Sequence, residues 1–278
     1  MAGLGDIDLD HLRGWVGRED TAEDTVTDGL IARFRATLGD WLFDTGQEAP
    51  LGLHWCLAPP AMPLEALGPD GHAARGGFLP PVPFESRMWA GGALAFHAPL
   101  RAGDAVTRHS RIASVEGKEG RSGPLVFVGV EHRIVTAGRV AIEERQDLVY
   151  RPKQPLGAPA PHRPGIGASG SFTGDAVTLF RYSALTFNGH RIHYDYPYVT
   201  EQEGYADLVV HGPLQATLLM NAIAKRSGTA AVALDYRGLS PLVAGVAVSL
   251  QEDAERLFLQ TGDGRATFEA RPKPLMDA

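Results

Sequence analysis

One short motif occurs twice in this chain. Ala98-Pro99-Leu100-Arg101-Ala102-Gly103 matches Ser240-Pro241-Leu242-Val243-Ala244-Gly245, and the two prolines and the two final glycines both stand 142 positions apart. Self-similarity at that distance implies two related units in one chain. After the first copy comes an alternating stretch from Asp104 to Val115, a charged turn at Glu116-Gly117-Lys118-Glu119-Gly120, and a second β-rich stretch from Leu125 to Val135. After the second copy come Val246 to Leu250, a turn near Glu252-Asp253, Leu257 to Leu259, and a strand over Arg265 to Ala270. Upstream, Leu30 to Arg35 resembles Val177 to Arg181, each leading into a short helix.

The Pro- and Gly-rich stretch from Pro152 to Gly170 has linker composition. The chain therefore divides into residues 1–151, a linker over 152–170, and residues 171–278. A helix followed by antiparallel strands, repeated once, implies an α+β architecture in which sheet wraps around helix. The halves differ in that helix. In the second, Pro213 suits the first helical position, Leu214, Leu218 and Ile223 form an apolar stripe, and Gly228 ends it. In the first, Pro59, Pro60, Pro63 and Pro69 exclude a long helix over residues 59–71.

Composition narrows the function classes. Apolar residues are 44% of the 278, enough for a sizeable core, and charged residues are 21%. A net charge of −7 gives no general basic surface for nucleic acid. No apolar run of membrane-spanning length occurs, and the acidic start (Asp6, Asp8, Asp10) lacks the apolar region of a signal peptide, so a cytoplasmic protein is expected. Cys56, the single cysteine, sits in the apolar stretch Leu53-His54-Trp55-Cys56-Leu57 and reads as a packed core thiol.

The second half also carries Phe187-Asn188-Gly189-His190-Arg191-Ile192-His193-Tyr194-Asp195, and 18 residues after His193 comes His211-Gly212-Pro213-Leu214. Hydration of an enoyl thioester needs a base for water, an acid for the α-carbon, and donors for the enolate oxygen. His193 titrates near neutrality and serves proton transfer in either direction. Asn188 holds a water through its amide but cannot take its proton. The backbone N–H of Gly212, at a helix start where Pro213 has none, is the candidate oxyanion donor. Taken alone, His193 is equally a structural loop histidine; its clustering with His190 and His211 favours the functional reading. Zinc is disfavoured, because no Cys or Glu stands at ligand spacing. In the first half, Phe43-Asp44-Thr45-Gly46-Gln47 occupies the equivalent place without a histidine. The second half is thus expected to be catalytic, and the first a decayed copy kept for binding or architecture.

These residues resemble the MaoC-like hydratases and dehydratases, whose motif is Asp, four residues, His. The stretch Phe180 to Asp195 is closest to one branch, which holds the mitochondrial-type 3-hydroxyacyl-thioester dehydratases and the mesaconyl-C4-CoA and itaconyl-CoA hydratases. Gly204-Tyr205, Leu208 to Thr217, Phe78 to Pro81, Arg87 to Gly92 and Lys118 to Leu125 resemble the same branch. The resemblance implies a double hotdog, each half a sheet around a central helix, the first one degenerate. It implies an acyl-CoA or acyl-carrier-protein substrate and no cofactor; no metal and a homodimer are expected. By position His193 matches the catalytic histidine and Gly212 the oxyanion glycine, while Asn188 stands where the wider group has Asp. A C5 dicarboxylyl substrate needs a cation, for which Arg87, Arg121 and Arg191 are candidates, and His211 is placed with them as substrate-binding. The alternatives are a fatty-acid dehydratase using the same residues in reverse, and a hotdog thioesterase or non-catalytic acyl-CoA-binding protein.

Overall fold

Each copy of the repeat builds the same series: a strand, a capped helix, a connecting region, then four strands. The computed structural model describes residues 4–120, 123–153 and 170–275. After the short helix α1 (Leu9–Arg13), the first half runs β1 (Glu19–Thr25), α2 (Asp28–Leu38), β2 (Ser86–Phe96), β3 (Ala105–Gly120), β4 (Gly123–Thr136) and β5 (Arg139–Arg151). The second runs β6 (Ser171–Thr173), α3 (Ala176–Thr186), α4 (Gly212–Ser227), β7 (Ala233–Gly238), β8 (Ala247–Glu252), β9 (Leu257–Thr261) and β10 (Ala266–Lys273). Both α2 and α3 start on a side-chain cap: Thr27 accepts from Leu30 N–H, and Asp175 from Thr178 N–H.

The described strands form one antiparallel sheet in the order β1-β3-β4-β5-β2-β7-β10-β9-β8-β6. Its two halves mirror each other, since β1, β3, β4, β5 and β2 correspond to β6, β8, β9, β10 and β7 read inward from each edge. The repeated Pro-Leu-x-Ala-Gly motif occupies the same place in both, joining β2 to β3 and β7 to β8. The halves meet where β2 pairs with β7, from Gly91 opposite Arg237 to Ala95 opposite Ala233. A bulge between Trp89 and Gly91 re-aims β2 just before this seam.

Two local expectations change. Residues 116–120 are not a turn but the end of β3, which pairs with β4 as far as Gly120 opposite Gly123. Alternating side chains there (Val115 buried, Glu116 exposed) suit a strand better than the charge-rich composition suggested. Residues 154–169, most of the expected linker, lie outside the described residues.

Helix α4 is buried without a break from Leu214 to Ala224, not along a stripe, because β7, β9 and β10 and the first half enclose it. Its buried Asn221 binds the first half from inside: Oδ1 accepts from Phe43 N–H, and Nδ2 donates to Leu51 O. Gly228 caps the helix at φ 70°, donating to Ala224 O. The proline-broken region of the first half forms only short 3₁₀ turns, Leu53–Cys56 and Leu64–Ala66. Cys56 is buried, and burial pushes its thiol up to about 12, as fits a core thiol. No described helix is long and apolar enough to cross a membrane.

Candidate active site

Helix α3 ends at Phe187, a non-glycine residue at φ 50°, which turns the chain toward the helix start of α4. Asn188 donates its N–H to Ser183 O, and its side-chain oxygen accepts from His190 N–H at 3.0 Å. The amide NH₂ of Asn188 makes no hydrogen bond among the described residues. A 3₁₀ turn, Arg191–His193, then carries His193 inward. The strand-like segment before α4 is fixed on both sides: Val209 N–H donates to Ile192 O and Val210 N–H to Leu242 O.

The Nδ1 of His193 lies 2.7 Å from Val209 O. A carbonyl only accepts, so the proton sits on Nδ1 and Nε2 keeps its lone pair. Burial, with a smaller push from His72, lowers His193 to about 4 against the bond to Val209. His193 is therefore neutral at physiological pH. Its ring stacks on His211 at 3.6 Å between centroids and meets His190 edge-on at 5.4 Å.

His211 is fully buried, and its Nε2 lies 2.8 Å from Ser183 Oγ. It thus backs the His193 ring. Gly212 follows directly, so its amide stands one residue from the ring on which His193 rests. The first N–H groups of a helix lack partners within it. A Cβ at Gly212 would come 2.8 Å from Trp89 Cε3, so this glycine lets β2 pack against the helix start.

Of the expected cations, Arg191 is committed elsewhere. It pairs with Asp195 at 2.8 Å, donates to Pro69 O, and lies 4.1 Å over the Tyr198 ring. Arg121 lies outside the described residues. The side chain of Arg87, half-buried on β2 two residues from Trp89, makes no hydrogen bond or ion pair among the described residues. Its charge helps depress both His72 and His190.

The first half is more than architecture, because its loop over residues 68–73 enters the site. Asp70 O accepts from Arg191 N–H at 2.9 Å. A Cβ on Gly71, at φ 85°, would come 1.9 Å from Gly189 O, so only glycine allows this crossing. Asp70 Oδ2 lies 2.9 Å from His72 Nδ1, and His72 stacks on His190 at 4.0 Å. Burial raises Asp70, but the His72 hydrogen bond and charge outweigh it and hold the carboxyl well below its usual range. Burial and Arg87 lower His72 to about 4 despite Asp70. The result is a file of four rings, His72, His190, His193 and His211, running from Asp70 to the start of α4. Sequence reading missed Asp70 and His72; the signal was the Asp-Gly-His triplet inside the proline-rich region.

Asp70, His72 and His190 also bring ligand-capable atoms within 4.8 Å of one another, a spacing that a divalent metal could use. The Arg87 charge, which bears on both imidazoles, opposes a cation there. Two cavities lie elsewhere: one of about 20 Å³ beside His54, and one of about 340 Å³ between α2 and α3.

The hydroxyacyl-thioester dehydratase type 2 family model matches residues 52–244. The chain is 42% identical to the mesaconyl-C(4)-CoA hydratase of Chloroflexus aurantiacus, over 82% of this chain and 84% of that one. Among solved structures it is similar to HtdX of Mycobacterium tuberculosis, with a TM-score of 0.67 at 20% identity, covering 93% of this chain and all of the other. A second M. tuberculosis protein, described as a double hotdog, gives a TM-score of 0.54 at 15% identity over 92% of this chain and 95% of that one. The fold is a double hotdog.

Proposed function

Because the chain belongs to the hydroxyacyl-thioester dehydratase type 2 family, we propose that it is a hydro-lyase that reversibly adds water to the double bond of a C5 dicarboxylyl enoyl-CoA thioester. Mesaconyl-C4-CoA or itaconyl-CoA would give citramalyl-CoA. In mesaconyl-C4-CoA the free carboxylate is attached to the β-carbon, the atom that water attacks. Its cation must therefore stand beside the water-activating groups, at the far end of the substrate from the thioester carbonyl.

The single observation that carries this reading is the position of Arg87. Its guanidinium has no acid partner among the described residues, and its charge bears on both His72 and His190. A planar, always-charged fork suits a carboxylate. At the other end the Gly212 N–H accepts the role of enolate donor, in a position where the helix start favours negative charge. His193, neutral and with Nε2 free, exchanges the proton. Asn188 offers its NH₂ to the water oxygen and takes no proton. No metal or organic cofactor enters, coenzyme A being part of the substrate, and a chelator should leave turnover unchanged. The homodimer and the cytoplasmic location belong to the same reading, and sedimentation at working concentration tests the former.

Kinetics decide the acyl group. Mesaconyl-C4-CoA should be turned over faster than straight C4 to C8 monoacid enoyl-CoAs. Arg87→Gln should raise KM for the dicarboxylyl substrate by at least about tenfold, from loss of a charge-assisted bond, and leave the monoacids little changed. Faster turnover of the monoacids by the wild type would favour the dehydratase of fatty-acid synthesis instead. Release of free thiol from a saturated acyl-CoA would favour the thioesterase.

A further inference from the structure

We propose that the water-activating base is His72, oriented by Asp70 and supplied by the first half of the chain, while His193 serves the α-carbon. The proposal rests on the hydration reading above and assigns the two proton transfers to two halves of the chain.

The second half lacks a carboxylate at the water. Asn188 cannot accept a proton, and its oxygen already holds His190 N–H. Asp195 is bound by Arg191 and by Tyr198 N–H. The carboxylate that does reach the ring file is Asp70. It accepts from His72 Nδ1 at 2.9 Å, which fixes the proton there and leaves the Nε2 lone pair. The His72 backbone N–H also donates to Asp70 Oδ1, so the loop holds both partners in register. A carboxylate behind an imidazole stabilises the imidazolium that forms when the ring takes a proton.

The substrate orders the groups. The thioester oxygen belongs at Gly212, next to His211, on which His193 is stacked. The β-carboxylate belongs at Arg87, whose charge bears on His72 and His190. Between them, Cα falls toward His193 and Cβ toward His72. His190 packs on both rings, 4.0 Å from His72 and 5.4 Å from His193 by centroids.

In the hydration direction, the water oxygen forms a bond to Cβ as its proton moves to His72 Nε2. The π electrons of the Cα–Cβ bond shift to the thioester oxygen, held by Gly212 N–H. His72 returns its proton to solvent, and Nε2 of His193 takes one up. The enolate then reforms its carbonyl as Cα takes that proton, leaving every ring neutral. One water is consumed and no other reactant is needed.

The test separates the two transfers. One readout is hydration of mesaconyl-C4-CoA. The other is exchange of the α-hydrogens of the saturated 2-methylsuccinyl-C4-CoA with deuterated water, which needs a base at Cα but no nucleophilic water. His72→Gln should lower hydration by at least about 100-fold, the scale of a lost general base, and keep the exchange at the wild-type rate. Asp70→Asn preserves the turn and removes the charge. It should lower kcat by a smaller factor with KM unchanged, and Asp70→Glu should recover part of the loss. His193→Gln should lose both readouts. Near wild-type hydration by His72→Gln, or loss of exchange in step with hydration, overturns the dyad. Failure of the wild type on every enoyl-CoA overturns the hydration reading, and the dyad with it.

Discussion

The properties of His193 come from what surrounds it more than from its ring. Val209 O selects the tautomer, and burial selects the charge state. His72, His190 and His211 are its neutral neighbours, and Asp70 and Arg87 are the charges that face the file. An essential base lowered to about 4 keeps its lone pair well below neutral pH. The acid limb of kcat/KM, which reports the free enzyme, should therefore fall below about pH 5, not near 6.5. A profile over pH 4 to 8 checks this, and a limb centred at 6.5 would mean that the ring is hydrated and protonatable as in solution. The sequence made His193 and Gly212 legible through their spacing and their family motif. Arg191 was read as a substrate cation, but Asp195 four residues on pairs with it across one turn. Asn188 was not legible, because the loss of its oxygen to His190 N–H depends on a turn that no pattern announces. Asp70 and His72 were hidden by distance along the chain, since only folding brings residue 72 beside residue 190.

At the level of elements, the repeat was read correctly because its order is what the sheet preserves. The proline-broken region and the Pro213-to-Gly228 helix were likewise written in local chemistry. The all-round burial of α4 was not, because the enclosing strands lie far away in sequence. The same holds for the seam. Gly92 lies on β2 between two partners, opposite Gln146 of β5 and Tyr236 of β7. A Cβ there would come 1.9 Å from Arg145 O and 2.4 Å from Tyr236 Oη, and a backbone carbonyl in a paired strand cannot step aside. Gly92→Ala should cost about 2 kcal/mol or more, as for overpacking in a core. Gly262→Ala, with no atom within 4 Å of the added carbon, should stay within about 0.5 kcal/mol. Denaturant midpoints compare the two directly. Equal stabilities would mean that the seam is looser than the β2–β7 register implies.

Across the whole molecule, the joined halves enclose an unusual number of neutral imidazoles. Burial lowers His54 to about 3 and His72, His132 and His193 to about 4, and it also lowers His190 and His211. In the unfolded chain each returns to about 6.5. Below that pH the unfolded state binds more protons, so these groups contribute full stability above 6.5 and lose it as the pH falls toward 4. Glu144 works in the opposite sense. Burial raises it to about 7 against hydrogen bonds from Trp55, Gln146 and Tyr236, so its contribution is present at low pH and is lost as the pH rises through 7. His54, 3.7 Å from Glu144, thus faces a largely protonated acid as a neutral ring, not as half of an ion pair. Between pH 6.5 and 4.5 one carboxyl opposes several histidines, and the histidines prevail. The urea midpoint should therefore fall steadily from pH 7 to pH 5 with an unchanged m-value, and removing one contributor, as in His54→Leu, should flatten the slope. A midpoint independent of pH over that range would show that the imidazoles gain protons within the folded state, and would remove the neutral ring file on which the two proton transfers depend.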